Sequence, residues 1–123
     1  MNRLLCLAIV LWPSTGMSQD VTSAPGGTLR WLDKISGVTK DLEMALGETQ
    51  QHGRLAITLD DCRYPVKDPA SNAFAHLTIS DSLQPEPVFM GWMIATSPAL
   101  SAMEHARYDV WVLRCKTSAP VTE

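Results

Sequence analysis

The chain has 123 residues, 46% of them hydrophobic and 19% charged, which suits one ordinary globular domain and excludes a disordered chain or a multidomain array. Its 10 basic and 13 acidic residues leave a net charge of −3, with the basic residues scattered along the sequence. Phosphate binding needs a clustered positive surface, so nucleic acid is excluded as a partner class.

Residues 1–18 read as a secretory signal peptide. Arg3 supplies the positive start, residues 4–12 the apolar core, and Pro13 breaks that core before Gly16 and Ser18, small side chains that place the cut between Ser18 and Gln19. The core is far too short to span a bilayer, which takes about 20 residues, and no later stretch qualifies. The expected mature protein is therefore a periplasmic chain of 105 residues with 9 basic and 13 acidic side chains, not an integral membrane protein. Cys6 leaves with the signal.

Two cysteines remain, Cys62 and Cys115. In an oxidising compartment they are expected to pair, closing a loop of about 54 residues that the chain-entropy model values at about 4 kcal/mol. The functional alternative is a reactive Cys62 thiol activated by Arg63.

Residues 19–27 are small, polar and rich in Pro and Gly, and read as a flexible lead-in to a single β domain over 28–116, with 117–123 a disordered tail. Leu29, Trp31 and Ile35 share one parity, as do Leu42, Met44 and Leu46, with Ser36-Gly37 between them as a two-residue hairpin connection. Residues 38–46 also fit a short helix. In residues 54–60, Leu55, Ile57 and Leu59 alternate with Ala56, Thr58 and Asp60, the pattern of a half-buried strand that ends just before Cys62. Pro65 and Pro69 mark 64–72 as an exposed loop, and 73–80 as the next strand is followed by a turn holding Pro85 and Pro87.

The runs 88–95 and 108–113 are apolar on both faces of a period-two pattern, which predicts central strands covered on both sides. Between them, Ser97-Pro98 suits an N-cap and first helical position, predicting one helical turn over 98–103. About six short strands and one helical turn make an all-β fold, a small antiparallel sandwich or barrel.

Few chemistries are visible. There is no nucleophile elbow, zinc-protease motif, paired Cys-x-x-Cys, phosphate-cradling glycine loop or dinucleotide fingerprint, and no cofactor is implied. Ser97 or Ser101 with His105 and Asp109 contains the residue types of a hydrolase triad, but such residues meet by chance in a turn between strands, with Ser97 as a cap. His52, His76 and His105, with Asp60, Asp61 and Glu104, lack metal-ligand spacing. Among the aromatics, Trp31, Trp92 and Trp111 are many for a domain of this size. Most should fill the core, while Tyr64, Met90, Trp92 and Trp111 are the candidates for a binding surface. Gly91 marks a close approach, with Trp111 the expected neighbour.

Leu32-Asp33-Lys34, Gly47-Glu48-Thr49, Gly53-Arg54-Leu55, Cys62-Arg63-Tyr64-Pro65, Phe89-Met90-Gly91-Trp92-Met93, Ser97-Pro98-Ala99-Leu100, Glu104-His105 and Tyr108-Asp109-Val110-Trp111-Val112 with Cys115 together resemble a family of small exported Gram-negative proteins catalogued as a domain of unknown function. Ala106 departs from the proline usual there. The resemblance implies an envelope protein with paired cysteines and transfers no activity.

Three readings follow. The first is a non-catalytic binding or assembly module serving an envelope protein partner, which predicts an exposed apolar patch. The second is a glycan or small-ligand binder, with an aromatic on an open sheet face. The third is a hydrolase or enzyme inhibitor, the inhibitor using the loop at 64–72.

Overall fold

The computed structural model describes residues 9–14 and 20–117. Most of the expected signal segment, its cut after Ser18 and the tail beyond Thr117 lie outside the described residues; residues 9–14 are exposed and without regular secondary structure. No helix among the described residues is long and apolar enough to cross a membrane.

Alternating burial sorts the rest into eight strands: β1 Val21–Ser23, β2 Gly26–Asp33, β3 Thr39–Ala45, β4 Thr49–His52, β5 Leu55–Pro65, β6 Phe74–Asp81, β7 Phe89–Ile94 and β8 Tyr108–Cys115. One antiparallel sheet runs β1-β5-β6-β7, with β4 pairing the start of β5, and the other runs β3-β2-β8. The fold is thus an all-β sandwich of two open sheets. Leu29, Leu55, Ile57, Leu59, Leu77, Ile79, Val110 and Val112 fill the space between them with essentially no exposure. Burying each such side chain contributes about 1.5–3 kcal/mol, which is why these alternating positions fix the sheets' inner faces.

The hairpin forms, and residues 38–46 take the strand, not the helix. Its connection is longer than two residues. The Asp33 carboxylate accepts the N–H groups of Ile35 at 3.0 Å and Ser36 at 3.4 Å, and Gly37 supplies φ +75°, so Ile35 sits in the turn at 75% exposure instead of on the core face.

Two bulges organise the cysteine strands. In β5, Leu59 faces Leu77 and Asp61 faces His76, leaving Asp60 as the extra residue. In β8, Val112 faces Leu29 and Arg114 faces Thr28, leaving Leu113 extra. Each extra residue switches the parity of all that follows. Leu55, Ile57 and Leu59 point inward before the bulge and Cys62 and Tyr64 after it; Tyr108, Val110 and Val112 point inward before theirs and Cys115 after it. The disulfide forms inside, with the two Cα atoms 5.7 Å apart. A reactive Cys62 is thereby overturned, because its sulfur is bonded and fully buried.

Four expectations are corrected by the packing. Order starts before Thr28: β1 pairs with the end of β5, and Gly26 and Gly27 are buried in β2. A Cβ on Gly27 would lie 2.9 Å from Cys62 Sγ, so only glycine lets this backbone pass the disulfide. β5 extends to Pro65, so Cys62 lies within it, not beyond its end, and Tyr64 is buried in a strand, not exposed in a loop. The runs 88–95 and 108–113 become edge strands, one in each sheet, not central ones. Lastly, the expected helical turn forms, as a 3-10 turn at Pro98–Ser101, but Ser97 makes no side-chain capping bond.

Candidate binding surface

The outer face of the five-stranded sheet is built by cross-strand pairing. Phe74 on β6 lies between Arg63 on β5 and Ile94 on β7, and one step along the sheet His76 lies between Asp61 and Trp92. Trp92 is 39% exposed and Met90, two residues away on the same face, is 65% exposed. Val21, Arg63, Phe74, Trp92 and Ile94 line a shallow depression of about 290 Å³.

Arg63 and His76, the polar groups beside Trp92, are each held through one nitrogen. The Arg63 guanidinium lies 5.1 Å from the ring centroid and is tied to Asp61 at 2.8 Å, while the His76 ring meets Trp92 edge-on at 5.2 Å and bonds Asp60 at 2.8 Å. Asp60 also accepts from the Thr78 hydroxyl at 2.7 Å. Burial raises the Asp61 carboxyl, but its hydrogen bonds from Arg63 and Ser23 outweigh this and hold it below the usual carboxylate range. The depression between these groups is itself walled almost entirely by apolar atoms.

Of the four residues predicted for a binding surface, Met90 and Trp92 come together here. Trp111 is half-buried on β8 and lines a second depression, also about 290 Å³, at the seam where β7 and β8 lie edge to edge. Tyr64 drops out, since it is 9% exposed and faces the interior after the β5 bulge. The nearest side-chain atoms to Gly91 belong to Phe89, not Trp111. Arg63, Phe74 and Ile94 were not legible as site residues, because only strand register places them beside Trp92.

A second polar group sits at one end of the sandwich. Buried Asp81 accepts from Arg54 at 3.2 Å and from His105 Nε2 at 2.8 Å. Both arginine contacts and the Leu83 backbone N–H hold the Asp81 carboxyl far below its ordinary range, the Arg54 bond most of all. His105 Nδ1 accepts from the backbone N–H groups of Arg107 at 3.0 Å and Tyr108 at 3.1 Å, which assigns the proton to Nε2. Arg107, paired with Asp33 at 3.2 Å, covers Tyr108 from 5.3 Å.

This group ties loops to strands and does not assemble the imagined triad. Asp109 accepts from the Val110 N–H at 2.9 Å, and both ring nitrogens of His105 are taken by Asp81 and the backbone, so neither is free to take a proton from Ser97 or Ser101. The histidines are held apart as well: His52 bonds Gln50, His76 bonds Asp60 and His105 bonds Asp81. The loop after β5, an inhibitor candidate, is fastened on itself by Ser71 to Asp68 and by Asn72 accepting from Ala73 and Thr96.

A family model described as "Uncharacterized protein conserved in bacteria (DUF2155)" matches residues 27–115. An uncharacterised protein of Rickettsia prowazekii (strain Madrid E), RP359, is 25% identical over 101 residues, covering 80% of this chain and 65% of that protein's length. No solved structure matches the chain.

Proposed function

The chain belongs to a family of uncharacterised proteins conserved in bacteria, matched from Gly27 to Cys115, and from its surface we propose that it is an exported, non-catalytic binding module docking an envelope protein. The observation that carries the reading is the pair Met90 and Trp92, exposed on the outer face of the sheet beside the Arg63–Asp61 and His76–Asp60 pairs. Exposed apolar side chains grouped on one sheet face mark interaction sites. The depression beside Trp92 is walled by Val21, Phe74, Trp92, Ile94 and the Arg63 side chain and is almost wholly apolar, which fits an apolar protein side chain better than a hydroxyl-rich sugar ring, so a protein partner is favoured over a glycan.

Export to the periplasm is supported by the signal-like pattern of residues 1–18 and by the buried disulfide, a bond that persists in oxidising compartments. The absence of a free nucleophile–base pair around His105 supports the non-catalytic part.

The test is crosslinking in intact cells, then pull-down of the tagged chain from the envelope fraction, with Trp92→Ala and Trp111→Ala alongside. A specific partner protein, lost with folded Trp92→Ala, is the expected result. Absence of any partner, together with retention on isolated cell wall, would replace this reading with glycan binding.

A further inference from the structure

Sheet edges attract other strands, and proteins guard them with short length, charge, proline or bulges. Every other edge among the described residues is guarded. β1 has three residues and β4 four, β3 carries exposed Lys40, Asp41 and Glu43, and β8 carries Asp109, Arg114 and the bulge at Leu113. β7, Phe89-Met-Gly-Trp-Met-Ile94, has six residues, no charge, no proline and unbroken register with β6; the 3-10 turn Pro98–Ser101 packs against it but makes no backbone hydrogen bond to Met90 or Trp92.

Its free hydrogen-bonding row can be located. The Ala95 N–H donates to the Ala73 carbonyl at 2.9 Å, so by antiparallel alternation Gly91 and Met93 turn their backbone groups toward β6, while Met90 and Trp92 turn theirs away. Ile94 also faces outward, with its carbonyl already accepting from Ser97 at 3.1 Å. Two depressions flank this edge, the first almost wholly apolar and the second also holding Ser101 and Asp109. One is the Trp92 depression on the outer face, and the other is the seam holding Met93, Pro98 and Trp111. A strand laid along β7 sends successive side chains alternately to those two sides.

Resting on the docking reading above, we infer that β7 is completed by an extended, uncharged segment of the partner protein, which adds to it as a further strand with apolar side chains on both faces. The edge is about 20 Å long, so pairing there buries only a few hundred Å², well short of the roughly 800 Å² per partner that two folded proteins need for a stable interface. A second copy of this chain, also of net charge −3, offers no compensating attraction. A flexible segment, gripped by backbone hydrogen bonds and reaching into both depressions, matches the size of the site.

The probe is a random dodecapeptide library displayed on phage and selected on the full oxidised chain, followed by synthetic peptides of the selected consensus. Selected peptides are expected to lose affinity at least about tenfold when the amides of one parity are N-methylated, and far less when the other parity is. They should slow hydrogen exchange at the Met90 and Trp92 amides. Trp92→Pro should abolish binding, since the N–H it removes points away from β6, and circular dichroism and Tm check that the variant folds. Binding lost with Trp92→Ala yet indifferent to N-methylation would overturn strand addition and leave surface docking standing. A concentration-dependent dimer with the Met90 and Trp92 amides protected would assign the edge to a second copy and overturn it too. Failure to select any peptide, with those amides exchanging freely, would also overturn it, while the in-cell crosslinks decide the broader reading separately.

Discussion

Strands β7 and β8 are consecutive in the chain, alike in apolar composition, and each ends as an edge strand, yet the fold bulges and staples one and leaves the other regular and uncharged. β8 is bulged, bears charges of both signs and is stapled to β5 through Cys115. β7 has none of these and presents Met90 and Trp92 to solvent. Composition alone does not separate these two strands; what is done to their edges does.

That contrast predicts stability losses on the β8 side and binding losses on the β7 side. Replacing both cysteines by serine has the largest effect, about 4 kcal/mol, lowering Tm by on the order of 20 °C in calorimetry. Gly27→Ala should follow at about 1–3 kcal/mol by denaturant titration, since the added methyl meets the disulfide sulfur and the Arg114 carbonyl, each 2.9 Å away.

Asp81→Asn acts through charge and is sensitive to pH. Its folded carboxyl is held below the unfolded value, so Asp81 contributes stability that is full above about pH 4 and is lost as pH falls through the folded pKa. The variant should melt below the wild type at pH 7, and the gap should close in strong acid. A gap independent of pH would mean that the Arg54 and His105 contacts act by shape alone. Met90→Lys should be smallest, within about 0.5 kcal/mol of wild type, because the side chain touches little. Its effect belongs to binding, where a charge on the bare edge should abolish the partner crosslink.

How much of this was legible in the sequence varies by residue. Leu55, Ile57 and Leu59 declared their strand by alternation, and counting cysteines gave the disulfide. The bulges were not legible. Asp60 and Leu113 look like ordinary strand residues, yet they reverse parity, and this is why Tyr64 and Cys115 face inward against the simple pattern. Thr49–His52 was missed as a strand because it is polar throughout and pairs only at the sheet's rim. Trp92 and Met90 were legible as candidates, but their exposure follows from β7 being an edge, a matter of strand order that local pattern does not encode. Arg63 and Phe74 join them only through register.

The most direct test of the central claim places a photoreactive amino acid at position 90 and, separately, at Ile35, which is also exposed but lies in the β2–β3 turn of the other sheet. Irradiation of intact cells should give one discrete protein adduct from position 90 and none from position 35, with the position-90 adduct lost when Trp92→Pro is added. The same adducts from both positions, or an adduct at position 90 that survives Trp92→Pro, would contradict the account.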